Sequence, residues 1–185
     1  MKKIIVLAIT LVLFIGQSTV WAQEKGQIRA AAGLALGTKA GTDSDTGESK
    51  LGFGITLGGD FFITDVISIA PNFTFFFKSN FQATGVDLDT KASALDIDGK
   101  YYFLNDAVGV YGLFGISIGF AAIEGEIDFG GQPIPIDDSD SKFGVNIGAG
   151  ADYYLSDKVF LNVQLKYNTP LEQLAINIGA GFNIN

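Results

Sequence analysis

From Gln27 to the end of the chain, apolar residues alternate with small or polar ones, and no stretch sustains the period of a helix. Such alternation marks strands whose two faces meet different surroundings. Eight strands are expected. The first, about 27–37, places Ile28, Ala30, Ala32, Leu34 and Leu36 on one face. The second, about 51–62, sets Leu51, Phe53, Ile55, Leu57 and Phe61 against Gly52, Gly54, Thr56, Gly58 and Asp60. The third, about 66–78, sets Ile67, Ile69, Phe73, Phe75 and Phe77 against Ser68, Ala70, Asn72, Thr74 and Lys78. The fourth, about 92–103, sets Leu95, Ile97, Tyr101 and Phe103 against Asp96, Asp98 and Lys100. The remaining four, about 108–121, 142–154, 159–168 and 173–184, repeat the contrast of a bulky apolar face with one of Gly, Ser, Asn and a few charges.

The connections alternate in length. Three are tight and share one wording: "DFFITDVISI" at 60–69, "KYYFLNDAVGVY" at 100–111 and "DYYLSDKVFLNV" at 152–163. Each has a charge, two aromatics and a polar pair containing Asp or Asn, which is expected to make the turn. Between them run longer polar loops, "TKAGTDSDTGESK", "SNFQATGVDLDTK" and "AIEGEIDFGGQPIPIDDSDS"; the last connection, around "TPLE", is short. The small-residue face suits the crowded interior of a narrow barrel. The bulky face is too continuous and too apolar for water. A lysine or arginine turned to lipid at the midplane would cost roughly 2–4 kcal/mol, and the central strand charges all sit on the small face.

The first residues stand apart. "MKK" followed by the apolar run Ile4 to Gly16, with Val20 and Ala22 at small-residue positions, reads as a secretory signal peptide over 1–22, leaving 23–185 as one domain. The chain has no cysteine, so neither a lipid anchor on cysteine nor a disulfide framework is available. Without Lys2 and Lys3, ten basic residues face twenty acidic ones, a net charge of −10, which excludes the basic footprint of a nucleic-acid binder.

With this leader, eight strands, three tight turns and a glycine-rich inner face, the chain resembles the small eight-stranded outer-membrane barrels of the OmpX and OmpA transmembrane-domain type. The resemblance spans the whole mature chain and rests on pattern. It implies an all-β, eight-stranded antiparallel up-and-down transmembrane β-barrel in the outer membrane. It also implies lipid and the outer-membrane assembly machinery as partners, and a monomer. Two features depart from the type. The chain stops at Asn185 directly after the eighth strand, so no periplasmic domain is expected, and its last aromatic, Phe182, is followed by "NIN".

Candidate chemistry lies on the inner face. Arg29, Asp60, Lys100 and Asp152 fall at one depth near the tight turns and are expected to form a salt-bridged plug. Asp96 and Asp98 lie higher, with Lys166 at the depth of Asp96. Phe61, Tyr101 and Tyr153, the first aromatic of each repeat, are expected to form a periplasmic girdle facing lipid, the second aromatic pointing inward. Glu124, Glu126, Asp128, Asp137, Asp138 and Asp140 gather in one acidic surface loop, and Asp43, Asp45, Gly47 and Glu48 echo part of a calcium loop. Divalent cations are possible partners there; no cofactor is expected. The chain has no histidine, so the His-centred chemistry of barrel enzymes is unavailable and a non-enzymatic role is expected. Three function classes follow: a structural or surface-interaction barrel with a plugged lumen; a narrow channel or OmpW-like transporter of small hydrophobic molecules; and a soluble periplasmic lipid carrier.

Overall fold

The computed structural model describes residues 23–43, 48–83, 86–128 and 132–185, with all side chains among them except those of 82, 83, 127, 128 and 133. The expected leader, and Asp45 and Gly47 of the calcium-like spacing, lie outside the described residues. Eight strands follow in chain order: β1 (Ile28–Thr42), β2 (Ser49–Phe62), β3 (Ile67–Ala83), β4 (Val86–Asn105), β5 (Val108–Asp128), β6 (Pro133–Tyr154), β7 (Val159–Asn168) and β8 (Gln173–Asn183). Each pairs antiparallel with its neighbours, and β8 returns to β1 through pairs such as Leu34 with Ile178, closing the barrel. Where all eight strands run side by side, closure leaves no backbone edge unpaired, the condition for a sheet to cross lipid.

The alternation sorts the side chains. Outward stand Leu34, Phe53, Leu57, Ile97, Ile116 and Val163, all exposed, in a band of apolar surface far beyond what a water-soluble protein carries. Inward stand Arg29, Asp60, Asp96, Asp98, Asp152 and Lys166, all buried. Glycine holds many inner positions because an eight-stranded barrel has little room. A Cβ on Gly115 would run into the Asp98 carboxylate and the Ile97 carbonyl.

Three sequence expectations are corrected. The strands of the tall wall are longer than the alternation suggested. β4, β5 and β6 run for 20, 21 and 22 residues, while β7 and β8 have 10 and 11. The segment 122–141 is therefore not a loop carrying Glu124, Glu126, Asp128, Asp137, Asp138 and Asp140. It is strand up to Asp128 and again from Pro133, with Glu124 opposite Asp137 and Ala121 opposite Asp140. Lys78 does not join the inner face. The register slips between Phe76 and Ser79, and the extra residue of this bulge turns Lys78 outward, with its side chain 57% exposed. Finally, two of the tight turns are pinned by hydroxyls rather than by the Asp or Asn of the pair. Thr64 Oγ1 accepts from the amides of Val66 and Ile67, and Ser156 Oγ from those of Lys158 and Val159.

Candidate functional site

The lumen is organised in layers. At the tight-turn end, Arg29 on β1 lies directly opposite Asp60 on β2. Its Nη2 donates to Asp60 at 2.6 Å, to Asp152 at 3.0 Å and to the Tyr102 hydroxyl at 2.5 Å, while Nη1 donates to the Tyr154 hydroxyl at 3.2 Å. Its guanidinium carbon stands 4.4 Å from the ring centre of Phe160 and 4.7 Å from that of Phe62. Lys100 completes the layer, 2.8 Å from the other Asp60 oxygen and 4.7 Å from the ring centre of Tyr111. Tyr102 and Asn162 donate to Asp152 at 2.9 and 2.6 Å. Two cations thus meet two carboxylates; Arg29, Asp60 and Asp152 have further hydrogen bonds and Lys100 has the Tyr111 ring, the support buried ions need to offset their lost hydration.

The repeated wording explains this layer. Residues two apart share a face, so the charge that opens each repeat and the second aromatic point inward together: Asp60 with Phe62, Lys100 with Tyr102, Asp152 with Tyr154. Phe62, Tyr102 and Tyr154 are buried, and their part in binding Arg29 is not apparent from the sequence. The i, i+2 spacing from charge to aromatic was the available signal. The first aromatics point outward, Phe61 and Tyr101 exposed and Tyr153 part-buried.

A second layer lies further into the barrel. Lys166 Nζ is 2.6 Å from Asp96 and 3.0 Å from Asp98. Ser117 donates to Asp96 at 2.6 Å, Asn146 donates to Asp98 at 3.0 Å, and Asn168 donates to Ser117 and Asn146 at 2.8 and 2.9 Å. Between the two layers is a cavity of about 40 Å³, reached by Asp60 and Lys100 from one side and Asp98 from the other. Beyond the second layer the lumen turns apolar, with Ala35, Ala40 and Phe76 packed together and Leu171 against them. Leu171 belongs to the turn 169–172, which the short β7 and β8 hold low in the mouth. Thr169 Oγ1 donates to the Val145 carbonyl at 3.0 Å and accepts from its amide at 2.8 Å, and Asn168 accepts from the Leu171 amide at 2.9 Å.

Above the apolar band, the tall hairpins carry the acidic residues. Asp89, Glu124 and Asp137 lie side by side across β4, β5 and β6, and Asp87 faces Glu126. Like charges directly opposite repel, and lysines intervene. Lys91 reaches Glu124 at 2.6 Å, and Lys78 reaches Asp89 at 2.5 Å. Their hydrogen bond holds the Asp89 carboxyl below the usual carboxylate range and raises the Lys78 ammonium above its ordinary value. Alternation sends Asp138 and Asp140 to the opposite face, Asp140 beside Lys142 above the Leu171 turn. The side chain of Asp128 lies outside the described residues. Among the described residues no group of three or more acids has the geometry to hold a metal. Asp96 and Asp98, the carboxylate pair that could act as acid and base, are both committed to Lys166.

Solved structures share this architecture. Ail, the attachment invasion locus protein of Yersinia pestis, is 20% identical over 86% of this chain and 99% of its own, with a TM-score of 0.60. OprG of Pseudomonas aeruginosa is 13% identical over 90% of this chain and 99% of its own, with a TM-score of 0.62. The N-terminal barrel domain of Pseudomonas aeruginosa OprF is 17% identical over 88% of this chain and 100% of its own, with a TM-score of 0.51. At such identities the likeness is one of fold. No curated protein matches the chain significantly. The family model for the outer membrane protein beta-barrel domain matches residues 6–184. By that match, and by its closed barrel of outward apolar and inward polar strands, the chain belongs to the outer membrane protein beta-barrel family and resides in the outer membrane.

Proposed function

We propose that the protein is a non-enzymatic, monomeric barrel that serves the envelope as a closed anchor and presents its acidic hairpins to the cell surface. The observation that carries this reading is that side chains meet across the lumen at three successive levels: the Arg29 layer, the Lys166 layer and the Leu171 turn. The leader over 1–22 directs export, and the assembly machinery inserts the barrel. The test is conductance of the refolded protein in a planar lipid bilayer. Silence at physiological voltage is the expected result. Stable, reproducible openings would overturn the closed-anchor reading in favour of the narrow channel or transporter.

The charge of the loop end narrows the surface partner. Ail is solved in complex with the heparin analogue sucrose octasulfate, a polyanion. Here the hairpins present Asp87, Asp89, Glu124, Glu126, Asp137 and Asp138, and carboxylates outnumber lysines at this end. A polyanion is repelled by such a face, whereas cationic partners or divalent cations bridging to lipid phosphates complement it. Unfolding in calcium against magnesium-free, chelated buffer tests the bridging: an upward shift in calcium is expected.

A further inference from the structure

Among the described residues, the two buried charge layers differ in balance. Near the tight turns, Arg29 and Lys100 meet Asp60 and Asp152, and the charges cancel. In the second layer Lys166 alone meets Asp96 and Asp98, with side-chain exposures of 3%, 1% and 2%. One negative charge is left over in a closed interior, where an uncompensated ion is heavily penalised. The first layer has no surplus cation to lend it.

Asp98 also lines the cavity between the layers, and so do Thr56, Asn72, Gln164 and Asn177, all neutral and all bearing a side-chain oxygen. Asn177 is 2% exposed, and neither its amide oxygen nor its amide nitrogen has a hydrogen-bond partner. Leaving both ends of a buried amide unmatched is costly unless something in the cavity meets them. The volume of about 40 Å³ holds a small ion with a water or two, since one water needs roughly 10–15 Å³ by the same measure.

We propose that this chamber is a binding site for a small monovalent cation, sodium-sized, held by the Asp98 carboxylate and the amide and hydroxyl oxygens of Asn177, Gln164 and Thr56. The surplus is a single charge, which one monovalent ion cancels. Calcium and magnesium sites draw on several carboxylates. The other carboxylate at this chamber, Asp60, is already shared by Arg29 and Lys100. Lys100 is directed to Asp60 and to the face of Tyr111, which leaves the Asp98 side of the chamber to the ion. The ion would act as a lock, stabilising the folded barrel by mass action. This inference does not depend on whether the lumen conducts.

The test uses the mature chain refolded in detergent. Its unfolding midpoint is measured in sodium chloride and in N-methyl-D-glucamine chloride at equal ionic strength, alongside the sodium-23 NMR linewidth. The expected result is a midpoint several degrees higher in sodium, saturating with concentration, and a broadened sodium signal that potassium or lithium competes away. Asp98→Asn balances the layer and should abolish both effects. If that variant fails to fold, Asn177→Ala keeps the charge and should weaken sodium binding roughly tenfold. Equal midpoints and linewidths for the parent in both salts would overturn the site. So would a sodium response that survives in Asp98→Asn, or a midpoint that follows pH and ignores sodium, since a proton then neutralises the layer.

Discussion

Arg29 and Asp60 face one another across the first two strands, and their side chains meet at 2.6 Å with 0% and 3% of their surface exposed. The pair is not isolated. Asp60 has a second cation in Lys100, whereas Asp152 has Arg29 alone, supplemented by neutral donors. Arg29→Met therefore strands Asp152 more than Asp60. The expected loss is about 3–5 kcal/mol in urea unfolding of the refolded barrel, the usual cost of leaving a buried charge unpaired. Adding Asp152→Asn removes the stranded charge and should restore a large part of it. A parent-like midpoint for Arg29→Met would show that this layer does not hold the barrel together.

Much of this arrangement is legible in the chain. A period of two fixes the face of each side chain, so the outward apolar band and the inward charges follow from counting. What the period does not give is register across the barrel. That the Tyr102 hydroxyl reaches both Arg29 and Asp152 depends on the stagger of β1, β4 and β6, which no local pattern encodes. Strand ends were obscured for a different reason. Glu and Asp are poor strand formers, so "IEGEIDF" and "IDDSDS" read as loop. The ladder makes strand of 123–128 and 136–141, and the bridge from Lys91 to Glu124 ties the first of them to β4. The single-residue bulge that turns Lys78 outward leaves no local mark, because Phe77 and Lys78 alternate as well as any other pair. The Leu171 turn is a plain short connection by sequence. It becomes a cap only because β7 and β8 stop about halfway up the wall formed by β4 to β6.

Two glycines on neighbouring strands separate interior crowding from tolerance. Gly115 lies opposite Asp98 on the inner face, and a methyl there would displace the Asp98 carboxylate and with it the hold on Lys166. Gly99 points outward, where the nearest atom to an added Cβ is the Phe114 carbonyl oxygen at 3.5 Å, an ordinary contact. Gly115→Ala should cost about 1–3 kcal/mol, as overpacking does, and Gly99→Ala less than about 0.5 kcal/mol. Urea midpoints of the two variants check this; equal losses would mean the inner face has more give than its contacts imply.

Position along the membrane normal gives a second contrast. Ile97, Ile116 and Val145 sit side by side in the middle of the outward band, 49%, 47% and 38% exposed. Tyr101 lies near the tight-turn edge of the same face. Ile116→Arg should cost roughly 2–4 kcal/mol and Tyr101→Arg roughly 0–1 kcal/mol, because the penalty for a cation facing lipid falls from midplane to interface. Refolding into lipid vesicles at graded urea measures both.

The bridge between Lys78 and Asp89 makes a prediction about pH. It lies above the apolar band and links β3 to β4 at 2.5 Å, with the Lys78 side chain 57% exposed. Asp89 titrates low because Lys78 and Asn80 hydrogen-bond its charged form, and Lys78 titrates high for the reciprocal reason. A lowered carboxyl contributes above its unfolded value and loses that contribution as pH falls through the folded value. A raised ammonium contributes below its unfolded value and loses it as pH rises through the folded one. The bridge is thus intact from mildly acidic through neutral to mildly alkaline pH. Carbon-13 NMR of the Asp89 carboxyl should show it titrating below the ordinary carboxylate range, and rising toward that range in Lys78→Met, where Asn80 still donates to it. High salt should weaken the shift, since both groups meet solvent.

The cap offers the last test, through its backbone. Glu172 adopts φ +50°, the left-handed region that glycine and asparagine enter readily and other residues enter at a cost. The conformation closes the turn: the Glu172 amide donates to the Thr169 carbonyl at 3.2 Å, and the tightness of that turn is what lowers Leu171 onto Phe76. The Glu172 side chain gives little in return. Its nearest cation, Lys39, is 3.9 Å away, and the two side chains are 51% and 69% exposed, so the pair contributes next to nothing. Glu172→Asn removes most of the backbone cost and keeps the turn, and should stabilise the barrel by about 0.5–1 kcal/mol. Glu172→Val does the opposite, because a β-branched residue is least at ease with positive φ, and it should loosen the cap. Urea unfolding separates the two, and hydrogen exchange at the Leu171 amide, which donates to Asn168 at 2.9 Å, reports the cap directly. Slower exchange in the asparagine variant and faster exchange in the valine variant are expected. Identical exchange in both would mean that the cap is held by Thr169 and Asn168 alone, with no contribution from the strained residue.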